Sequence, residues 1–327
     1  MRILLTPNLP RSVRALAHEL LPASCTLEIK SPSHTDYDQA LADAECLMGL
    51  PRVRIDGAFL ARAPRLRMIQ LLRTGHELID LAATAKAGVQ AATTGDVTAG
   101  IVAEHCLMLM LALSHKLRFQ HDAVVNGHWL AVKPWQLSSG DVDSVPEVQF
   151  NSLAGQTLGI LGVGAIGSRV ARLARAFGMT VQGLAHLPGE QVRDDVPLVP
   201  LPALLETSDV ISLHLRLSPE TARIMNAEAF ARMRRGSYLV NTARGELVDE
   251  DALAGALARG QLAGAALDTL QKEPPPPDHP LLGRPDVLFT PHTAWLTHDS
   301  WRRTLTFGFS NVERFLAGHP IQNLVRD

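Results

Sequence analysis

The nine residues GILGVGAIG at 159–167 limit this chain more tightly than any other segment. An apolar run, Thr157–Leu161, leads into Gly162, Gly164 and Gly167, and SRVARLARAFG follows with helical spacing. Glycines at these intervals between a strand and a helix allow a tight turn, bring bare backbone up to a ligand, and let helix pack on strand. The helix N-terminus then presents free N–H groups and the positive end of its dipole, which suits a pyrophosphate. A plain glycine turn in an α/β domain is the competing explanation; the flanking strand and helix weigh against it. Gly162, Gly164, Ala165, Ile166 and Gly167 are the expected dinucleotide cradle.

The pattern around the loop extends this reading. Ile3–Leu5, Thr26–Ile29, Cys46–Met48 and Met68–Leu71 read as strands, with Val13–Leu21 and Gly57–Ala63 as intervening helices. After the glycine loop, strands are expected at Val181–Leu184, Val210–Leu213, Tyr238–Asn241, Ala263–Leu267 and Val287–Thr290. Such alternation predicts α/β architecture with parallel sheets covered on both faces, and 327 residues suggest two domains. Ala99 to Asn126 reads as one long apolar helix that crosses between domains, and 129–151 as a polar loop or arm. Pro274–Pro277 is a stiff extended connector, which can be neither helix nor central strand. Thr297 to Ala317 reads as a helix burying Trp301, Leu305, Phe309, Val312 and Phe315.

Three later runs each carry a residue type that one reaction needs: NTARG carries Arg244, LDTLQKEP carries Glu273, and FTPHTA carries His292. Arginine grips a carboxylate through two parallel hydrogen bonds. Histidine exchanges a proton near neutral pH, and a neighbouring carboxylate orients it. With a nicotinamide as hydride source, the set reads as reversible oxidation of a 2-hydroxy acid. Singly, each residue has an ordinary explanation as a surface ion pair, a loop acid or a cap. An acidic residue normally follows the glycine loop by about 20 residues to hold the adenosine ribose. Here Ala185 stands at that place, which removes the repulsion against a 2′-phosphate without supplying attraction. His186, Arg193 and Arg216 are the candidate cations, so the cofactor is NADP or NAD, with the reading tilted to NADP.

In VAEH (102–105), GILGVGAIG, SDVISLH (208–214), NTARGELVDEDAL (241–253), AALDTLQKEP (265–274) and TPHTA (290–294), the chain resembles the D-isomer-specific 2-hydroxyacid dehydrogenases. The resemblance runs over nearly the whole length. It implies two doubly wound parallel-sheet domains: a Rossmann cofactor domain over 99–296, and a smaller flavodoxin-like substrate domain from 1–98 plus 297–327, with the active site in the cleft between them. It implies that Arg244 binds the substrate carboxylate and keto oxygen, that His292 is the general acid in reduction, and that Glu273 pairs with it. Asp268 would receive the nicotinamide carboxamide, and Arg73, Thr74 and Gly75 would form the carboxylate-holding loop. Thr242 and His214 fall at the implied cofactor edge, although His214 also reads as simple packing; His105, in an apolar helix, reads as structural. A homodimer through the long helix is implied as well.

Two departures bear on specificity. Arg73 stands where the family commonly has a small residue, so it either recognises a second anionic group or turns away into an ion pair. Arg216 replaces a common proline at the adenosine edge. Trp295 follows the His292 motif directly and is expected to line the substrate pocket, whereas Trp135 would reach a cleft only if its loop folds over. The expected activity is hydride transfer between NAD(P)H and a small 2-oxo acid, with glyoxylate or hydroxypyruvate as first candidates. A phosphite-oxidising relative shares the same residue set; a formate enzyme would carry glutamine at position 273. A cofactor-sensing regulator on this fold would be expected to add a disordered tail or basic module. The net charge of -2 gives no reason to expect nucleic acid or an anionic membrane as partner. Cys25, Cys46 and Cys106 fit neither a disulfide framework nor a zinc site, so no metal is expected and a reducing cytoplasm is favoured.

Overall fold

Alternation of apolar strands with amphipathic helices produces a parallel sheet in each half of the chain. The computed structural model describes residues 1–7, 9–129, 150–185 and 189–325. These form two compact units, Met1–Thr98 with Leu296–Asp327, and Ala99–Trp295. The first unit holds β1 (Arg2–Thr6), β2 (Thr26–Ile29), β3 (Cys46–Gly49), β4 (Met68–Leu71) and β5 (Gln90–Ala92). Their order is β2-β1-β3-β4-β5, all parallel, the flavodoxin-like doubly wound arrangement. The period of two along each strand divides the core. Leu4, Leu47 and Ile69 face α2 (Tyr37–Asp43), α3 (Gly57–Ala61) and α4 (Leu81–Lys86). Ile3, Leu5, Cys46, Met48 and Met68 face the side carrying α1 (Arg11–Glu19).

The second unit begins with α5 (Ala99–Ser114) and α6 (Leu117–Val125), and here the expectation of one continuous helix fails. The two are bent by 59°. Lys116 takes a left-handed conformation with φ 48°, and its N–H bonds the Leu113 carbonyl in a tightened last turn. No glycine or proline marks the break, so the apolar pattern runs through it unaltered. No single helix among the described residues is long and apolar enough to cross a membrane.

Eight strands follow: β6 (Thr157–Leu161), β7 (Thr180–Leu184), β8 (Val192–Arg193), β9 (Val196–Val199), β10 (Val210–Leu213), β11 (Ser237–Asn241), β12 (Leu262–Leu267) and β13 (Val287–Phe289). Their order is β13-β12-β11-β10-β6-β7-β9-β8, with β8 antiparallel. Pro197 is tolerated in β9 because that strand meets β7 only at Leu198 and Val199, near the sheet edge. Leu158, Ile160, Val210 and Val240 pack towards α5 and α7 (Ala165–Ala176). Leu161, Ile211, Leu213 and Leu239 pack towards α8 (Leu201–Thr207), α9 (Ala227–Arg232) and α10 (Glu250–Ala258).

The last helix, α11 (His298–Leu316), starts at a capping box of Thr297 and Ser300 and returns to the first unit. Leu305, Phe309 and Val312 are buried against that unit's second face, with Trp301 and Phe315 packed beside them. Among these apolar groups sits Asn311, fully buried, donating to Gln70 Oε1 at 2.8 Å and to the Gln322 carbonyl at 2.9 Å, and accepting from Gln322 N at 2.8 Å. Asn311→Ala would leave those groups unpaired, and the expected loss is about 2–4 kcal/mol in urea unfolding. A loss no larger than that of an exposed substitution on the same helix would contradict this account.

Candidate functional site

Because β6, β10, β11, β12 and β13 are parallel, the residues that follow them emerge at one edge of the second unit's sheet. The chain goes from β6 outward to β7 on one side and resumes at β10 on the other, so β6 and β10 flank the switch point where α/β sheets take ligands. Gly162 turns there with φ +105°, and a Cβ on it would lie 2.7 Å from the His214 carbonyl. A Cβ on Gly167 would meet the Gly162 oxygen at 2.2 Å. Gly164, by contrast, has open space where its Cβ would be, and it caps α7 with no side-chain bond. Ala165 and Ile166 begin α7, so the helix N–H groups face the position where a pyrophosphate belongs.

Three neighbouring strand ends each carry a buried polar atom without a protein partner: His214 Nδ1 after β10, Thr242 Oγ1 after β11, and Thr269 Oγ1 after β12. Buried polar atoms are normally bonded, so a row of three beside the glycine turn fits a polar dinucleotide. His214 Nε2 lies 2.8 Å from Ser212 Oγ, which is 3.1 Å from Cys106 Sγ. Burial pushes the His214 imidazole down to about 4 and the Cys106 thiol up to about 12. Thr269 was not singled out by sequence reasoning; it follows Asp268 directly, and no spacing rule marks it.

The NTAR turn after β11 is clamped by its first residue. Asn241 donates through Nδ2 to the Arg244 carbonyl at 2.7 Å and accepts from Ala243 N at 3.0 Å. Arg244 Nη1 donates to the Ala243 carbonyl at 2.8 Å. A Cβ on Gly245 would fall 2.0 Å from the Leu270 carbonyl carbon, so only glycine lets this turn lie against the loop that carries Glu273. That loop is held further by Glu250, which accepts from Gln271 N at 2.8 Å and contacts His279 Nε2 at 2.9 Å. Neither Glu250 nor His279 was visible in the sequence as a support, because 29 residues separate them.

Glu273 and His292 come into direct contact: His292 Nδ1 lies 2.7 Å from Glu273 Oε2. The carboxylate accepts, so Nδ1 carries the proton and Nε2 is the nitrogen left to face a reactant. His292 sits at φ 55°, a left-handed position, and Asp268 brackets it. The Asp268 main-chain oxygen accepts from His292 N at 2.8 Å, and its carboxylate accepts from Thr293 N at 2.9 Å and Ala294 N at 3.0 Å. Trp295 ends the unit, half-buried.

At the adenosine edge, Ala185 follows β7 and its N–H bonds the Val199 carbonyl at 3.0 Å. Arg193 directs Nε and Nη2 at Glu190 Oε1, at 2.7 and 2.6 Å. Arg216 is exposed, and its carbonyl accepts from Thr221 Oγ1 at 2.7 Å. His186, Trp135 and nearly all of the 129–151 arm lie outside the described residues. Arg73, Thr74 and Gly75 belong to the first unit, in the loop after β4. There Arg73 Nη2 donates to the Pro51 carbonyl at 3.3 Å and Thr74 Oγ1 to the Gly95 carbonyl at 2.5 Å.

A glycine cradle and a carboxylate-held histidine on one sheet edge define a class: enzymes that couple hydride transfer at a nicotinamide to proton transfer at a side chain. Comparison with known proteins narrows it. Residues 107–294 match the family model of the D-isomer specific 2-hydroxyacid dehydrogenase NAD binding domain. A glyoxylate reductase of Korarchaeum cryptofilum is 32% identical, over 99% of this chain and 95% of its own. A glyoxylate/hydroxypyruvate reductase B of Pectobacterium carotovorum is 35% identical, over 88% of this chain and 87% of its own. The crystal structure of the TT0316 protein from Thermus thermophilus matches with a TM-score of 0.85 and 32% identity over 100% of both chains. The chain belongs to the D-isomer specific 2-hydroxyacid dehydrogenase family, and it is a nicotinamide-dependent oxidoreductase of 2-oxo and 2-hydroxy acids.

The depressed His214 sets a pH dependence of stability. An unfolded histidine titrates near about 6.5, so below that pH the unfolded chain binds a proton that folded His214 refuses until about 4. Its contribution is therefore complete above the unfolded value and is lost as the pH falls towards the folded one. The urea midpoint should fall between about pH 7 and pH 4.5, and less steeply in His214→Gln. Equal slopes in the two proteins would remove His214 as the source.

Proposed function

We propose that this protein reduces a small 2-oxo acid to its D-2-hydroxy acid, with glyoxylate and hydroxypyruvate as the substrates to try first. The observation that carries the reading is the 2.7 Å contact of His292 Nδ1 with Glu273, which leaves Nε2 as the proton donor. Gly162, Gly164, Ala165, Ile166 and Gly167 would hold the cofactor's pyrophosphate, with Thr242 along its edge and Asp268 at the carboxamide, and the nicotinamide would supply the hydride when bound. Arg244 takes the substrate carboxylate and stabilises the charge developing on the keto oxygen, with the backbone of Arg73, Thr74 and Gly75 as second holder of the carboxylate. Protonated His292 gives its Nε2 proton to that oxygen, and Glu273 stabilises the imidazolium and fixes its orientation. In oxidation the neutral ring takes the proton back. Trp295 lines the substrate.

The preferred cofactor in this reading is NADP. Ala185 removes the carboxylate that would repel a 2′-phosphate, and exposed Arg216 is the cation that attracts it. Arg193 is the weaker candidate, since its guanidinium already meets Glu190. The assembly in this reading is a homodimer, supported by the exposed Leu117, Phe119, Val124 and Val125 on α6. Three free, buried cysteines favour a reducing compartment.

A panel of 2-oxo acids assayed with NADPH and NADH tests the whole reading. Turnover of at least one is expected, and no turnover of any by the wild type would sink it. His292→Ala should lower kcat by about 10²–10⁴-fold, while cofactor affinity, followed by nucleotide fluorescence, stays within about threefold. In the same panel, Arg216→Ala should cut the ratio of kcat/KM for NADPH over NADH by about tenfold. An unchanged ratio would acquit Arg216.

A further inference from the structure

The bracket around His292 has a second layer, which starts on α5. His105 Nε2 lies 3.0 Å from Thr290 Oγ1, and that hydroxyl lies 2.5 Å from Asp268 Oδ1. His105 Nε2 is also 3.8 Å from the same carboxylate oxygen, and the two side chains are 16% and 1% exposed. Counting protons fixes the direction of this chain. The Asp268 carboxylate already receives two backbone N–H groups, so it acts as an acceptor. Thr290 has one hydroxyl proton, and the shorter contact assigns it to Asp268. The Thr290 oxygen can then only accept from His105, so His105 carries its proton on Nε2 and points it at Thr290. Burial lowers the proton affinity of His105 despite the nearby carboxylate, which keeps the ring neutral with that single Nε2 proton.

We infer that His105 and Thr290 are positioning residues for His292: they lock the Asp268 carboxylate in the orientation that holds the left-handed turn at 292–294. Asp268 grips that turn before the histidine with its main-chain oxygen and after it with its carboxylate. Without the Thr290 hydroxyl and its His105 donor, the carboxylate keeps only the bonds to the two N–H groups and loses the one that fixes Oδ1 from outside the turn, so the turn's acceptor is held less firmly. The His292 ring then loses its aim, although neither His105 nor Thr290 is among the residues proposed to hold the reactant. The inference rests on the proposed role of His292 as the proton donor.

The test pairs disruptive with conservative variants in the full chain: Thr290→Val against Thr290→Ser, and His105→Ala against His105→Gln, since glutamine keeps a donor near the Nε2 position. Three quantities are measured: kcat with the best oxo acid, cofactor affinity, and amide hydrogen exchange at Thr293 and Ala294. Thr290→Val and His105→Ala should each lower kcat by about ten- to a hundredfold, and cofactor affinity, to which Asp268 is proposed to contribute, should fall by less than kcat. Amide exchange in both should speed up by about tenfold or more, whereas the serine and glutamine variants stay within about threefold of wild type. The double variant should be no worse than Thr290→Val alone, because both changes break one chain. An unchanged kcat in Thr290→Val, or serine and glutamine variants as impaired as the disruptive ones, would overturn the inference. If His105→Ala does not fold, the Thr290 pair carries the same comparison. If wild-type protein turns over no oxo acid, the functional reading falls, and unaccelerated exchange in Thr290→Val would separately overturn the positioning.

Discussion

Parallel pairing of β6, β10, β11, β12 and β13 in the second unit is the constraint from which the site follows. Parallel strands all leave the sheet at the same edge, so the glycine turn, His214, Thr242, Asp268 and the His292 loop are gathered there by register alone. The close approach of Gly162 to the His214 carbonyl shows how little slack the arrangement has, since a single methyl group at that point would have to displace backbone. The same logic explains Gly245. Its missing side chain lets the Arg244 turn rest directly on the Leu270–Gln271 peptide, so the arginine and the loop of Glu273 are placed by contact of main chain with main chain. Such contacts have no rotamers to adjust, which makes them stiffer supports than side chains.

Polar groups near this edge divide into those that hold loops and those left to do chemistry. Asn241, Glu250 and Asp268 each bond backbone N–H or C=O groups of the turns beside them, and Glu250 and Asp268 also take a side-chain partner, His279 and Thr290. Each lies in or next to the end of a regular element, where unpaired main-chain groups are concentrated. The two histidines His214 and His292 show environment deciding role. His214 is held against Ser212 with its second nitrogen covered, and burial keeps it neutral through the physiological range. His292 is nearly half exposed and keeps a carboxylate on Nδ1, an environment that suits the proton donor proposed here.

What could be read from the sequence was what local spacing encodes. The glycine loop, the flanking strand and helix, and the five apolar residues of α11 follow periodicities that neighbouring residues set. The pairing of Glu273 with His292 was legible because their motifs and order resemble a family; no local rule would bring Glu273 to His292 across 19 residues of loop and strand. The break at Lys116 was illegible because a left-handed lysine leaves no compositional trace, and β9 was hidden by Pro197. His105 was read only as structural. Its partner Thr290 is 185 residues away, and a hydrogen bond over that distance exists only once the sheet has formed.

The adenosine edge carries the last step. In the proposed NADP reading, Ala185 puts no carboxylate against a 2′-phosphate, but binding would still need a cation whose charge is not already answered. Arg193 meets Glu190 through both Nε and Nη2, so bringing a phosphate to it means breaking or sharing that ion pair. Arg216 stands on a turn fixed by Thr221 through its carbonyl, so its backbone is anchored while its side chain is exposed. Both backbones are anchored, Arg193 in β8 and Arg216 on its turn, so the Glu190 ion pair is what separates them and supports Arg216 over Arg193 in the proposed NADP reading.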